Sequence, residues 1–251
     1  AIHNLIVQYD KSRFRNMVPV THARVPVVKG TDSRARNPFS RDGSLNFDIC
    51  FLNDIAVANT SLIHEYSRID VRVKCLILTV KSWVKSKRIG DASEGTLSSY
   101  TWTNLVIFYL QVIGFVPVLQ CSKLKRQNGI SNKKEYWHSV DNLDTGFVRY
   151  SDIRKRNSWT QPPIFSDTPV AILFYGFLHF YANCFSHGTV CASIRLGRCI
   201  LPKTVFEKHN LWRICIEDPF QTYNSHCPHD LGAHLSESGS LRVHQSLHES
   251  A

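Results

Sequence analysis

No uninterrupted apolar stretch of the 251-residue sequence reaches the roughly 20 residues that a membrane-crossing helix needs. The nearest, PVAILFYGFLHFYANCF at 169–185, is shorter and carries His179 and Asn183. It reads as a buried core helix, entered through a capping residue and a first-turn proline in Asp167-Thr168-Pro169. The eight cysteines form no CxxC pair, and no amino-terminal secretory segment is visible. A disulfide framework therefore drops out, and scattered single thiols fit buried positions in a reducing compartment, with the cytoplasm the expected one. There is no internal repeat and no low-complexity tract. Acid is scarce: 20 Asp and Glu stand against 30 Lys and Arg, a formal charge of +10. That balance favours a polyanionic partner, a nucleic acid or an acidic membrane surface. With 43% hydrophobic and 20% charged residues, the chain has the profile of one large or two modest folded domains.

Residues 1–16 read as a helix, and VPVTHARVPVVKG (18–30) as strand, with valines on alternating positions. Residues 29–43 are polar and read as a loop. In 46–51 the alternation returns, with Phe47, Ile49 and Phe51 on one face and Asp48 on the other. From Asp54 the period becomes helical, predicting helices over 55–69, 71–87 and 100–115, the second with Val73, Ile77, Val80 and Val84 along one stripe. Residues 121–163 form a long basic, polar region. Beyond the apolar helix come two short strands, VCASIRL and WRICIED, and a His- and Ser-rich tail. The expected architecture is α+β, a short sheet followed by a mostly helical domain, with the boundary near Asn53.

Several groups carry chemistry. Asp48, on the polar face of a strand, is a candidate metal ligand, although a lone strand carboxylate is ordinarily just solvated. Lys81 and Lys85 lie four apart in TVKSWVKSK, which puts two ammonium groups on one helix face, either as a solvated basic face or as a clamp for a triphosphate. GTLSSY (95–100) is a glycine turn followed by hydroxyls at a helix start. Ser98 or Ser99 can cap, the helix end suits an anion, and Tyr100 can stack on a base. ICIEDPFQTYNSHCPHDLG (214–232) crowds an acid, proline, aromatics and histidines into one loop. His226, Cys227 and His229 are too few ligands for a structural zinc site.

Six segments, in this order and spacing, resemble the terminal uridylyltransferases and noncanonical poly(A) polymerases of the polymerase-β-like nucleotidyltransferase superfamily. They are ARVPVVKG (23–30), FDICFLNDIAVANT (47–60), VKCLILTVKSWVKSKRI (73–89), GTLSSYTWTNLVIFYLQ (95–111), FYGFLHFYANCFSHGTVCASIRLG (174–197) and IEDPFQTYNSHCPHDLG (216–232). The resemblance spans nearly the whole chain. It implies the carboxyl-terminal part of a catalytic palm over 1–53 and a central helical PAP-associated domain over 54–245, with a cleft between them and a nucleotide-recognition loop at about 216–232. By the same resemblance Asp48 looks like the third metal-binding carboxylate, and Asn59 and Thr60 like ribose and phosphate contacts. Lys81 and Lys85 look like triphosphate clamps, Ser99 like a phosphate contact and Tyr100 like the base-stacking ring. Asp218 would belong to the base-recognition loop, and His229 looks like the histidine that favours uracil over adenine. The implied reaction adds UMP from UTP to an RNA 3′ end, with ATP the runner-up donor, Mg2+ or Mn2+ the cofactor, and a monomer without membrane attachment as the expected form.

The family also carries a Gly-Ser turn and an Asp-x-Asp pair ahead of the ARVP strand, and nothing in 1–22 matches them; the acid there is Asp10 alone. The resemblance therefore implies an amino-terminally incomplete chain that catalyses poorly or not at all, and leaves a dead RNA-binding paralogue as a rival. Gln221 stands where relatives often have an acid, and the lengthened TYNSHCP stretch lets the histidine alignment slip from His229 to His226.

Overall fold

A computed structural model of the chain describes residues 8–21, 26–35, 43–50, 53–129, 139–140, 142–207, 210–226 and 228–251. The chain divides into two compact units, Ala1–Val57 and Ala58–Ala251. The division falls near Asn53, within the first turn of the first long helix.

The first unit holds an antiparallel sheet in the order β1-β2-β3, from β1 (Phe14–Val20), β2 (Val27–Asp32) and β3 (Leu45–Cys50). The helix expected over 1–16 holds at Gln8 and Tyr9 and is corrected at its end, where Phe14, Arg15 and Asn16 are strand; the part on 1–7 lies outside the described residues. The β1–β2 register shifts between Arg15 and Val18, and Asn16 has a φ of +53°. Such a bulge breaks the alternation that would mark a strand. Asp32 in β2 accepts three hydrogen bonds from Arg13, the shortest at 2.8 Å. Those donors hold its carboxyl down at about 2. β3 alternates as expected, with Asp48 exposed and Phe47 and Ile49 half-buried.

The second unit is built on α1 (Asp54–Ile69), α2 (Val71–Ser86) and α3 (Ser99–Val112). The stripe of α2 behaves as its spacing demands: Val73, Ile77, Val80 and Val84 are buried. Asp70 caps α2 through the N–H of Arg72 at 2.8 Å. The Arg72 guanidinium then reaches the carbonyls of Phe165 and Thr168 at 2.6 and 2.9 Å, tying the start of α2 to the approach to the apolar helix. α3 is buried along nearly its whole length, with Leu105, Ile107 and Phe108 fully enclosed.

The basic region contains the short α4 (Ser122–Gln127), a two-stranded pair β4 (Ser139–Val140) and β5 (Leu143–Asp144), and α5 (Tyr150–Arg156). The apolar segment forms α6 (Val170–His179) and runs on through a π-helical turn to Cys184. It is amphipathic rather than wholly buried: Leu173, Phe177 and Tyr181 face the core while Ile172 and Tyr175 are exposed. Pro169, not Asp167 or Thr168, holds the cap position, and no side chain caps it. Among the described residues no helix is long and apolar enough to cross a membrane.

A second small sheet, β7-β6-β8, follows, from β6 (Val190–Ala192), β7 (Leu201–Pro202) and β8 (Cys215–Ile216). The expectation of buried thiols holds for Cys191 and Cys215 and fails for Cys50, Cys75, Cys184 and Cys199, which are exposed. The polar tail is a further correction: α7 (Glu237–Ser250) is a regular helix capped by Ser236, packed on α6 through Val243 and Leu247.

Candidate nucleotide-binding site

Two of the segments singled out in the sequence meet. Gly95, with a φ of +71°, turns the chain out of a single 3-10 turn into the start of α3. Ser98 takes the cap and accepts the N–H of Thr101 at 3.1 Å. That settles which serine caps, and leaves the hydroxyl of exposed Ser99 at the first position of the helix, beside unpaired backbone N–H groups. Tyr100 follows, with its ring partly covered and its Oη shut off from solvent beside the Asn104 side chain, outside normal hydrogen-bond geometry. Burial, and then the nearby charge of Asp218, push its phenol well above the ordinary range. The hydroxyl of Thr101 reaches the Leu231 carbonyl at 3.4 Å, and Ser236 donates its backbone N–H to the Gly95 carbonyl at 2.9 Å. The turn before α3 and the loop around 216–232 therefore pack side by side.

The loop is held from below by groups far away in sequence. Glu217, 1% exposed, accepts hydrogen bonds from Ser193 at 2.5 Å, Arg195 at 3.0 Å and the Tyr223 N–H at 3.2 Å. Asp230 accepts from Arg213 at 3.0 Å and from the N–H groups of Ile216 and Gly232 at 3.0 and 2.7 Å. Gln120 donates to the Pro219 carbonyl at 2.9 Å. Asp218 is buried, and its Oδ1 accepts the N–H groups of Phe220 and Gln221 at 3.0 and 3.1 Å, so it shapes the turn of the loop. Its own N–H donates to the His229 carbonyl at 3.0 Å, and the His229 N–H donates to the Gln221 carbonyl at 2.9 Å. His229 is thus fixed across from Asp218, half-buried, whereas His226 is exposed and lines a separate cavity. Nothing in the sequence marks Gln120, Ser193, Arg195 or Arg213 as supports; the signal that could raise Ser193 and Arg195 is their place just beyond β6, whose partner β8 enters the loop.

The other candidates lie on other elements. Lys81 and Lys85 are exposed on α2, opposite its buried stripe, and neither has an ion-pair partner among the described residues. α2 packs on α3, with Trp83 edge-on to Trp102 at 5.7 Å. Asn59 in α1 is half-buried and keeps an Oδ1 that is closed to solvent and unpartnered, while Thr60 is exposed. Asp48 belongs to the first unit. It is paired across the sheet with Lys29 at 3.8 Å, both side chains more than half exposed. Among the described residues no group of three or more metal-ligating side chains forms, so Asp48 alone does not fit a two-metal site, which needs further carboxylates.

Residues 169–224 match the family described as Cid1 family poly A polymerase, and residues 1–68 match the poly(A) RNA polymerase, mitochondrial-like, central palm domain. The chain belongs to this family of terminal uridylyltransferases and poly(A) RNA polymerases. It is 33% identical over 203 residues to the poly(A) RNA polymerase GLD2 of Danio rerio, covering 81% of this chain and 37% of that protein. Against terminal uridylyltransferase 7 of Homo sapiens the identity is 35% over 231 residues, covering 90% and 14%. With the terminal uridylyltransferase cid1 of Schizosaccharomyces pombe it is 31% over 239 residues, covering 88% and 53%. A structure of the Cid1 poly(U) polymerase with Mg and 3′-dATP bound superposes with a TM-score of 0.76 at 27% identity, covering 99% of this chain and 69% of that one. The chain therefore spans about half or less of the curated relatives it matches.

Proposed function

We propose that this chain is the donor-nucleotide-binding part of an RNA 3′-terminal uridylyltransferase, which transfers UMP from UTP to an RNA 3′-hydroxyl and releases pyrophosphate. The observation that carries the reading is His229, fixed across from Asp218 in a loop packed beside Tyr100. Stacking on Tyr100 holds any base by its flat face. The imidazole then decides which base: it can hydrogen-bond a uracil carbonyl, and its bulk crowds a purine. Ser99 and the open N–H groups at the start of α3 suit a phosphate, and Lys81 and Lys85 supply cations for the rest of the triphosphate. Asn59, with an acceptor that lacks a partner, suits a ribose hydroxyl, with Thr60 beside it.

Divalent-metal chemistry, with Mg2+ or Mn2+, belongs to the same reading, since the Cid1 structure carries Mg. Asp48 is this chain's contribution, and the remaining carboxylates must come from elsewhere. The likeness to the GLD2 enzymes keeps ATP as the alternative donor. Isothermal titration of the chain with UTP and ATP separates the two. UTP is expected to bind at least about tenfold more tightly than ATP, and His229→Ala is expected to erase that difference. Equal affinities in the wild type would reject the uridine assignment and leave a poly(A)-type enzyme.

A further inference from the structure

Across the loop from Tyr100 lies a half-open cavity of about 710 Å³, enclosed by α4, β5, the stretch after β6 and the outer side of residues 219–226. None of the donor-site residues lines it. Its cations are Lys125, Arg195 and Arg198, against one lining carboxylate, Asp144. Lys125 leans on Asp144 at 3.4 Å, and Arg195 gives one nitrogen to Glu217 at 3.0 Å while its Nε stays enclosed without a partner. Arg198 is exposed and has no partner among the described residues. Gln120, 9% exposed, spends its amide N–H on Pro219 and leaves an unpartnered Oε1 at the cavity wall. Pro219, Phe220, Leu196 and Ile200 add an apolar wall.

We propose that this cavity is a subsite for the RNA chain, taking one of its nucleotide units with the phosphate toward Arg198 and Lys125 and the base toward the apolar wall. The inference rests on the reading of the chain as an RNA nucleotidyltransferase. The cavity falls within the usual size range of small-ligand sites, and so has room for a nucleotide. An excess of cations draws a phosphodiester, unsatisfied donor and acceptor groups suit a base edge, and the apolar wall covers a ring. Because Arg195 and the Tyr223 N–H both hold Glu217, a strand seated here contacts the same loop that presents Asp218 and His229 to the donor. The loop is then shared by both substrates, and the outer side reads the chain that receives the new residue.

The test is fluorescence anisotropy of a short 5′-labelled oligouridylate with the wild-type chain, Arg198→Glu and Lys125→Ala, over a salt series. Each variant should bind the RNA about tenfold more weakly at low salt, with the log–log salt slope reduced by roughly 0.7 for each lost phosphate contact. Arg198 is exposed and unpaired, so its reversal should melt with the wild type, and circular dichroism checks both variants. Undiminished RNA affinity in two folded variants overturns the proposal. A free mononucleotide offers the same chemistry, so UMP binding is titrated alongside. If Arg198→Glu weakens UMP binding and spares RNA, the RNA assignment is overturned. UTP affinity and its loss in Lys81→Ala, read separately, decide the donor-site reading, so failure of one is told apart from failure of the other.

Discussion

Arg213 and Asp230 meet at 3.0 Å with each side chain only 6% exposed, directly beneath the end of the 216–232 loop. Asp230 also receives the N–H groups of Ile216 and Gly232, so one carboxylate closes the loop onto β8. Truncating it takes the carboxylate from a buried guanidinium, which keeps the Ala233 carbonyl at 3.3 Å, and from two backbone donors at once. Asp230→Ala is therefore expected to lose about 3–5 kcal/mol of stability, measured by urea unfolding. A loss within about 0.5 kcal/mol would mean that the pair does not anchor the loop.

This anchoring carries no local sequence signal. Local patterns were legible because they depend on near neighbours: the α2 stripe, the Asp48 alternation and the hydroxyl turn before α3 all follow from periods of 3.6 and 2 or from cap chemistry. The supports Ser193, Arg195 and Arg213 lie 17–24 residues from their partners, a separation that carries no period. α7 was missed because its buried face rests on Val243 and Leu247 amid Ser and His, too thin a stripe to mark a helix. The first half of β1 escapes the sequence reading because its bulge at Asn16 breaks the alternation, whereas 18–20 reads as strand.

Tyr100 combines a ring proposed to stack on the base with a hydroxyl that is enclosed beside Asn104, outside normal hydrogen-bond geometry. Tyr100→Ala is expected to weaken UTP binding by about 1–3 kcal/mol through lost stacking. Tyr100→Phe keeps the ring and removes a buried polar atom, so the free protein should melt no lower than the wild type and bind UTP within a few-fold. Calorimetry and a thermal melt check both. A marked drop in the melting temperature of the Phe variant would show that the hydroxyl already has a partner in the fold.

His187 is held down to about 4 from its ordinary 6.5, chiefly by burial, with His244, Lys203 and His248 adding repulsion. Its Nε2 lies 2.6 Å from the Tyr181 carbonyl, so the neutral ring donates there. The folded state resists a proton that the unfolded state takes up below pH 6.5. The stability this group supports is complete above that value and is lost as pH falls from about 6.5 to about 4. His244, also lowered by burial, acts in the same direction. The depressed Asp70 carboxyl loses its contribution lower down, as pH falls below the ordinary 3.8. His187→Gln can still donate to Tyr181 and should flatten the stability profile between pH 6.5 and 4, read by urea unfolding at stepped pH. An unchanged slope in that variant would clear His187 of the effect.

Gly239, in the first turn of α7, lies so close to the turn before α3 that a Cβ there would stand 1.9 Å from the Gly95 carbonyl oxygen. The obstacle is backbone, and Ser236 donates both its N–H and its hydroxyl to the same carbonyl at 2.9 and 3.1 Å. A methyl group must therefore push α7 or the Gly95 turn aside. Alanine's better helix propensity returns up to about 1 kcal/mol, against roughly 1–3 kcal/mol for the forced shift. Gly239→Ala is expected to be destabilised on balance, with faster hydrogen exchange at residues 95–100, the turn that leads to Ser99 and Tyr100. Leu241→Ala on the same helix, at a position 68% exposed, should stay within about 0.5 kcal/mol and serves as the control. If the alanine at 239 proved as stable as the wild type with exchange at 95–100 unaltered, α7 could not be what steadies the turn.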